Sequence, residues 1–245
     1  MNHVFRNSAF TMVMEILSNS LRLALIDMDG TLLNGRSINA IAKLGFEREI
    51  REIRRAFSEG KIWAYEMSLK IAKLLKGTLA SKLIEEFDKI PLVRGAKEFI
   101  EWLRLKNFVV IIVSDSYTIL VERIARKVGA DEVYANTLHV VNGVITGKLS
   151  MPMGWQLVKG CMRKSVCKLN ALLKYMAKYN IPIGRTLAIG DSNIDICMIK
   201  YAKLGVAFNP KSYEVAQVAD IVVKGDFYDL KRTLEPLIEN PEIFP

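Results

Sequence analysis

Continuous apolar runs alternate with amphipathic stretches along most of the chain. The run Leu23-Ala24-Leu25-Ile26 is typical of a strand that is buried on both faces of a sheet. Comparable apolar runs predict further strands at 108–113, 185–189, 204–208 and 221–223. Apolar residues at helical spacing predict helices at about 93–106, 117–128, 163–179 and 226–238. Strands that alternate with helices in this way predict an α/β fold, in which a parallel sheet is flanked by helices on both faces.

Two segments depart from this alternation. After the first strand, three helical patterns follow one another at about 41–57, 62–75 and 79–87, with no strand pattern among them. An insertion at this point is expected to lie over the carboxyl edge of the sheet as a lid. The second segment, 133–149, alternates in polarity around Asn142-Gly143, which predicts a β-hairpin. We therefore divide the chain into an N-terminal extension at 1–20, a catalytic core at 21–36 and 90–240, and a helical cap at 37–89.

Composition narrows the class of protein. The chain has 245 residues, of which 51% are apolar and 25% charged, so it is long enough for a full globular core. No apolar stretch is long enough to cross a bilayer, and the first residues lack a signal-peptide core, so a cytoplasmic protein is expected. The three cysteines include no CxxC pair, so neither a disulfide framework nor a zinc site is predicted. The net charge of +9 is compatible with anionic substrates, with nucleic acid, or with a lysine-rich soluble surface.

The most informative local feature is the sequence Asp27-Met28-Asp29-Gly30-Thr31, which directly follows the first strand. Residues two apart in a strand point to the same side, so both carboxylates can face one crevice at the carboxyl end of the sheet. Two like charges so close are unfavourable unless a cation or a shared proton relieves them. A hard divalent ion such as Mg²⁺ suits these oxygen donors. The alternative interpretation is a turn rich in aspartate, without chemistry.

Three further loops or helices carry polar candidates near the ends of predicted strands. Ser114 follows the second strand and offers a hydroxyl beside backbone amides, which suits a phosphate oxygen. Asp191 and Asp195 lie four residues apart after the strand at 185–189, and a lysine lies in the helix before that strand. Taken singly, Ser114 is typical of a helix cap, the lysine of a solvated face, and Asp195 of a first helical turn.

In this order, the motifs resemble those of the haloacid dehalogenase-like (HAD) superfamily, and more closely its phosphoserine phosphatase branch. DxDGT is present at 27–31, the post-strand serine at Ser114, and GDxxxD at 190–195. The branch's lysine corresponds to Lys168, with Lys164 one helical turn earlier as the competing candidate. The resemblance extends over about residues 21–238. It implies a Rossmann-like parallel sheet with a small all-helical cap after the first strand and a β-hairpin.

The resemblance also implies roles for individual residues. Asp27 would form an aspartyl-phosphate, and Asp29 would act as general acid and then as general base. Mg²⁺ would lie between Asp27, the backbone carbonyl of Asp29, and Asp191. The expected phosphate-binding residues are Ser114, Lys168 and Asp115, the last through its amide. The expected supporting residues are Thr31, Gly30 and Asp195.

The sequence departs from the branch where the leaving group of the substrate would bind. Arg36 stands where an acid receives the ammonium of phosphoserine, and Ala72 stands where an arginine pairs with its carboxylate. Ser114-Asp115-Ser116 replaces Ser-Gly-Gly, and Ile194 replaces an asparagine. A cation that faces an ammonium repels it, so phosphoserine is expected to be a poor substrate. Arg36, with Lys70 or Lys73, is expected to bind a negative group on the substrate instead.

These observations predict a Mg²⁺-dependent phosphatase that hydrolyses a small phosphorylated metabolite through an aspartyl-phosphate. A phosphotransferase or phosphomutase with the same intermediate is the first alternative. A non-enzymatic basic module that binds nucleic acid is the second, and a cluster of acids at one sheet edge argues against it. Neither a nucleic acid nor a membrane is expected as a partner, and the sequence leaves the oligomeric state open.

Overall fold

The computed structural model describes residues 21–152 and 167–244, and within them a sheet of seven strands forms the centre. The strands are β1 (Arg22–Asp27), β2 (Phe108–Tyr117), β3 (Glu132–Val141), β4 (Val144–Ser150), β5 (Thr186–Gly190), β6 (Leu204–Phe208) and β7 (Ile221–Val223). Their order across the sheet is β4-β3-β2-β1-β5-β6-β7. Neighbouring strands are parallel, except that β3 and β4 form the antiparallel hairpin. The predicted α/β fold with its hairpin is therefore confirmed.

Helices of the cap and of the core surround this sheet. The cap contains α1 (Ser37–Ile41), α2 (Glu47–Ser58), α3 (Ala64–Leu74) and α4 (Ala80–Asp88). The core contains α5 (Ala96–Leu105), α6 (Thr118–Val128), α7 (Lys168–Tyr179), α8 (Ile196–Tyr201), α9 (Tyr213–Val218) and α10 (Phe227–Ile238). None of the helices in the described part of the chain is long and apolar enough to cross a membrane.

The side chains of β1 explain why its sequence is a continuous apolar run. Ala24 and Ile26 pack into a cluster that includes residues of α5, α6 and α10, whereas Leu23 and Leu25 pack into a second cluster with α7, α8 and α9. All four side chains are fully buried. A central strand covered on both faces has no solvent-exposed positions for polar residues, so the usual alternation disappears.

Three boundaries differ from the sequence-based prediction or lie beyond the described residues. β2 continues past residue 113 to Tyr117, with a shift in its register against β3, so Ser114-Asp115-Ser116 is extended rather than a loop. The side-chain amide of Asn136 on β3 donates to the carbonyl oxygen of Asp115 (2.8 Å), which holds this polar stretch against the sheet. The helix predicted at 163–179 is described from Lys168 onward. The predicted extension at 1–20 lies outside the described residues.

The loop between α3 and α4 fastens the cap to the hairpin through backbone hydrogen bonds. Gly77 N–H donates to Ile145 O (2.8 Å), Ile145 N–H donates to Thr78 O (2.9 Å), and Ala80 N–H donates to Gly143 O (2.9 Å). This pairing extends the sheet edge by one short segment and satisfies backbone groups of β4 that an edge strand otherwise exposes. The cap is therefore held at the hairpin as well as by its two chain connections.

The turn of the hairpin allows a direct test of the prediction that was made from Asn142-Gly143. Gly143 has a φ of +76°, and a Cβ added there meets no atom within 4 Å, so only backbone strain opposes a side chain. Gly143→Ala is expected to lower the free energy of unfolding by about 1 kcal/mol, and Tm by roughly 2–4 °C. Gly184→Ala is the matched control, because that glycine also has open space around it but lacks the positive φ. Thermal unfolding followed by circular dichroism measures both, and equal Tm values for the two variants would contradict the prediction.

Candidate active site

The carboxyl edge of the sheet brings the predicted polar residues together. Asp27 ends β1, the central strand, and its neighbours in the sheet are β2 and β5. The Ser114-Asp115-Ser116 stretch lies at the end of β2, and Asp191 follows β5. Because parallel strands end at the same edge, residues far apart in sequence meet there.

Lys168 forms the centre of the site. Its side chain is 1% exposed, and Nζ donates to Asp27 Oδ1 and to Asp195 Oδ1, the latter over 2.6 Å. Burial lowers the pKa of Lys168, but the Asp195 and Asp27 carboxylates outweigh burial and keep the pKa above its usual range. Burial also raises the pKa of Asp27, and the Lys168 ammonium opposes that effect. Of the two lysines left open by the sequence, Lys168 is the one placed at Asp27, while Lys164 lies outside the described residues.

Asp195 is fully buried, and both of its oxygens are hydrogen-bonded. Oδ1 accepts from Lys168, and Oδ2 accepts from the backbone N–H of Asp191 (3.2 Å) and of Ser192 (2.9 Å) and from Ser192 Oγ (2.9 Å). A Cβ at Gly190 would lie 2.4 Å from Asp195 Cγ, so this close approach requires glycine. Asp195 therefore fixes the loop after β5 and positions the Lys168 ammonium.

Asp191 differs from Asp195, because one of its oxygens has no partner. Oδ2 accepts from Arg36 Nη2 (3.0 Å), whereas Oδ1 is buried without a hydrogen bond among the described residues. Burial raises the pKa of Asp191 to about 6. Gly30, with φ +90°, allows the approach, since a Cβ there would lie 2.4 Å from Asp191 Oδ2.

This arrangement fits a hard cation. Carboxylate oxygens of Asp27, Asp191 and Asp195 lie within 4.8 Å of one another. Among the described residues, Asp191 Oδ1 is the carboxylate oxygen of this group that has no hydrogen bond. Asp195 accepts three hydrogen bonds at Oδ2 alone, whereas each Asp27 oxygen accepts one and keeps a lone pair for a cation. An all-oxygen donor set with a net negative charge suits Mg²⁺. The Asp29 carbonyl, which the sequence predicts as a further ligand, lies in the tight turn at 28–32 directly after Asp27.

Asp29 is held by residues that the sequence did not indicate. Ser37, the first residue of α1, donates its backbone N–H to Asp29 Oδ1 (2.8 Å) and its hydroxyl to Asp29 Oδ2. Ser116 Oγ donates in turn to Ser37 Oγ (2.9 Å). Burial raises the pKa of Asp29 to about 6, although the Ser37 hydroxyl opposes this effect. The sequence feature that could have indicated this contact is the start of a helix at Ser37, because the free N–H groups of a first helical turn attract a carboxylate.

The remaining predicted residues of the core lie at the site in different ways. Thr31 Oγ1 donates to Asp27 Oδ2 (3.1 Å) and so orients the carboxylate. Ser114 is fully buried, and its Oγ accepts from Ser116 N–H (3.1 Å) rather than facing the cavity described below. Asp115 does line that cavity, and burial raises the pKa of its carboxyl.

A cavity of about 260 Å³ lies between the sheet edge and the cap. The described residues that line it are Asp27, Asp29, Arg36, Ser37, Ile38, Ile41, Arg54, Phe57, Ser58, Met67, Ser68, Ile71, Asp115, Ser116, Tyr117, Lys168, Ser192 and Ile194. The catalytic candidates Asp27 and Asp29 therefore share one space with residues of the cap.

The cap does not supply the lysines that the sequence suggested. On α3, Met67, Ser68 and Ile71 face the cavity, whereas Lys70 and Lys73 are exposed to solvent. Each residue of a helix is rotated by about 100° from the last, so positions 70 and 73 point away from the face of Ser68 and Ile71. The expectation that Lys70 or Lys73 binds the substrate is thus corrected. Arg54 on α2, which the sequence did not single out, lines the cavity instead.

Comparison with known proteins agrees with the fold and the geometry. The profile of the haloacid dehalogenase-like hydrolase family (HAD) matches residues 24–200. The phosphoserine phosphatase of Methanocaldococcus jannaschii is 33% identical over 205 residues, which cover 83% of this chain and 92% of that protein. The phosphoserine phosphatase of Idiomarina loihiensis is 33% identical over 196 residues, covering 80% and 85%. A solved structure described as a phospho-aspartyl intermediate analogue of phosphoserine phosphatase has a TM-score of 0.74 at 31% identity, covering 89% of this chain and 99% of that one.

A mostly parallel sheet with buried acids at its carboxyl edge, beneath a helical cap, is the architecture expected of a haloacid dehalogenase-like enzyme. The chain belongs to the haloacid dehalogenase-like hydrolase family. Within that family it is a phosphatase of the phosphoserine phosphatase-like branch.

Proposed function

We propose that this protein is a Mg²⁺-dependent phosphatase that hydrolyses a small phosphomonoester through an aspartyl-phosphate on Asp27. The observation that carries the proposal is the Asp27 carboxylate, which is buried and oriented by Lys168 and Thr31, and lines the same cavity as Asp29. A nucleophile, an acid and a cation in one water-poor space are the components of covalent phosphoryl transfer.

The reaction divides into two displacements. In the first, an Asp27 oxygen forms a bond to phosphorus, the bond from phosphorus to the ester oxygen breaks, and protonated Asp29 gives its proton to that leaving oxygen. In the second, Asp29 takes a proton from a water, the water oxygen attacks phosphorus, and the bond to Asp27 breaks to release phosphate. The pKa of Asp29, raised to about 6 by burial, suits a group that must give and take a proton near neutral pH.

Other residues of the chain would hold the phosphoryl group. Lys168 Nζ lies at Asp27 and supplies positive charge to the phosphoryl oxygens, and the backbone N–H of Asp115 is a second donor at the end of β2. Asp195 positions Lys168 for this task. Mg²⁺, held by Asp27, Asp191 and the Asp29 carbonyl, would neutralise the negative charge that accumulates when the carboxylate approaches the phosphate.

Phosphoserine is unlike the ester that this cavity favours. Arg36 lines the cavity at the position where the branch has an acid, and it is ion-paired with Asp191, so this position offers no carboxylate to an ammonium group on the substrate. The cap residues that line the cavity include no carboxylate among the described residues. The relatives named phosphoserine phosphatase therefore support the reaction, and the departures at Arg36 and Ala72 support a different leaving group.

A metal-dependence assay tests the proposal. The full-length protein is assayed with p-nitrophenyl phosphate and a panel of phosphorylated metabolites that includes phosphoserine, first with Mg²⁺, then with excess EDTA, then with Mg²⁺ restored. We expect hydrolysis that disappears on chelation and returns with the metal, because two acids and a phosphate dianion otherwise repel one another. Activity that survives EDTA unchanged would contradict the metal assignment, and phosphoserine turnover far above every other ester would contradict the substrate assignment.

A further inference from the structure

The cap side of the cavity is predominantly apolar. The apolar side chains of the cap that line it are Ile38, Ile41, Phe57, Met67 and Ile71, and two core residues, Tyr117 of β2 and Ile194 of the loop after β5, add apolar surface to the same cavity. The part of a substrate that extends from the phosphoryl group toward the cap therefore meets hydrocarbon. Such a wall favours a leaving alcohol with an apolar body, since each buried CH₂ contributes favourably to binding.

The hydroxyl groups in the same wall already donate within the protein. Ser58 Oγ donates to Arg55 O (2.9 Å), and Ser68 Oγ donates to Ala64 O (3.2 Å). The hydroxyls of Ser116 and Ser37 belong to the chain that ends on Asp29. These hydroxyls can still accept a hydrogen bond, but their own protons are in use, so a substrate group that needs donors finds few of them on this wall.

One charged side chain of the cap lines this cavity without a partner. The side chain of Arg54 makes no hydrogen bond or ion pair with any residue in 21–152 or 167–244, whereas Arg48 and Arg55 on the same helix pair with Glu52 and Glu59. Arg54 is exposed and also lines a second depression, between α1 and α2, so it stands at the rim of the cavity.

The other charges in the lining are concentrated at the sheet end. Arg36 is paired with Asp191, and Lys168 with Asp27 and Asp195. Asp115 is on β2, where the charges of Lys168 and Arg36 act on it. Arg54 is therefore the cation of the cap rim that is free to receive a group from a ligand, as judged from the described residues.

Resting on the phosphatase activity proposed above, we propose that the substrate is a phosphomonoester of an apolar alcohol that carries a carboxylate, and that Arg54 binds this carboxylate. The apolar body packs on the cap wall, the phosphoryl group lies at Asp27, and the carboxylate reaches the rim. A single guanidinium matches the single charge and the planar geometry of a carboxylate. Arg54 is then a specificity-determining residue that the reaction itself does not use.

A series of straight-chain alkyl phosphates of increasing length tests this proposal. For each chain length, three esters are prepared, with a terminal methyl, carboxylate or ammonium group. The kcat/KM of each ester is then measured with Mg²⁺. For the wild type we expect the carboxylate ester to be preferred, most strongly at one chain length, because Arg54 lies at a fixed position. Arg54→Gln is expected to lower the carboxylate-to-methyl ratio of kcat/KM by about tenfold to a hundredfold, chiefly through KM, as for loss of a hydrogen bond to a charged group.

Two further variants separate this effect from loss of charge or of folding. Arg51→Gln removes an exposed arginine of the same helix that does not line the cavity, and we expect its ratios to stay within about twofold of wild type. Arg54→Glu is expected to reverse the preference in favour of the ammonium ester, a gain that an unfolded protein cannot show.

The possible failures are distinguishable. If no ester is hydrolysed, p-nitrophenyl phosphate included, the proposed phosphatase function itself is wrong. If the esters are hydrolysed but carboxylate and methyl forms react equally at every length, the inference about Arg54 is overturned while the phosphatase function stands. An equal fall in kcat/KM for the methyl, carboxylate and ammonium esters in Arg54→Gln would also overturn the inference. It would show that Arg54 attracts the phosphate group that all three esters share.

Discussion

Replacement of Asp27 by asparagine is expected to lower kcat for p-nitrophenyl phosphate by at least about 10³-fold, since an amide oxygen is a far weaker nucleophile than a carboxylate. The substitution is nearly isosteric. The amide oxygen can keep the hydrogen bond from Lys168, and the amide nitrogen can donate to Thr31 Oγ1 in place of the present bond from that hydroxyl. Lys168 also keeps its ion pair with Asp195, so the fold should be retained. The loss of activity should then come from the weaker nucleophile alone.

Steady-state hydrolysis with Mg²⁺ measures this prediction, and mass spectrometry after hydroxylamine treatment locates the acyl phosphate in the wild type. Asp88→Asn is the matched control, because Asp88 is an aspartate of the cap that pairs with Arg123 outside the cavity. A folded Asp27→Asn protein with near wild-type activity, and no reversion to aspartate by mass, would exclude Asp27 as the nucleophile.

The sequence predicted those parts of the site that depend on the order of strands. Asp27 follows an apolar run that is typical of a parallel strand covered on both faces, and parallel strands that alternate with helices end at one common edge, so Asp27 was expected to meet the ends of neighbouring strands. The hairpin turn was predictable for a similar local reason. Asn142 and Gly143 both have positive φ, which is the conformation that this residue pair favours in two-residue turns.

Contacts between segments distant in the sequence could not be predicted in this way. The ion pair from Arg36 to Asp191 joins residues 155 apart in sequence, and the bond from Asn136 to Asp115 joins residues 21 apart. Neither contact is indicated by a periodic pattern in the sequence. Each depends on how the loop before α1, or the irregular end of β2, meets the sheet edge. Arg36 was assigned to a substrate anion from the charge alone, and the structure pairs it with an aspartate of the protein.

The error at Lys70 and Lys73 has a different origin. The resemblance gave the position along α3 at which the branch has an arginine, but it did not give the rotation of the helix. The apolar residues Met67 and Ile71 already indicated the inward face of α3, and the two lysines are off that face. Arg54 precedes Phe57 by about one turn on α2, so the same reasoning, applied to the helix before, would have placed it toward the cavity.

Removal of the buried ammonium is expected to have the largest effect on stability. Lys168→Met replaces a side chain that is 1% exposed by an apolar one of similar length, and leaves Asp27 and Asp195 without their cation. Breaking a buried ion pair on one side typically costs about 3–5 kcal/mol, because the remaining charge stays desolvated. We expect a loss of that size in the free energy of unfolding by urea in EDTA, together with loss of hydrolysis.

Lys178→Ala provides the comparison on the same helix. Lys178 pairs with Glu132 at a side-chain exposure of 48%, so its loss should cost about 1 kcal/mol or less. The double variant Asp27→Asn/Lys168→Met should recover part of the stability lost in Lys168→Met alone, since it removes one of the two uncompensated carboxylates. Equal stabilities of Lys168→Met and Lys178→Ala would mean that the acids at the sheet edge do not depend on Lys168. Without that dependence, the assignment of Lys168 as the cation that holds the nucleophile in place would fail.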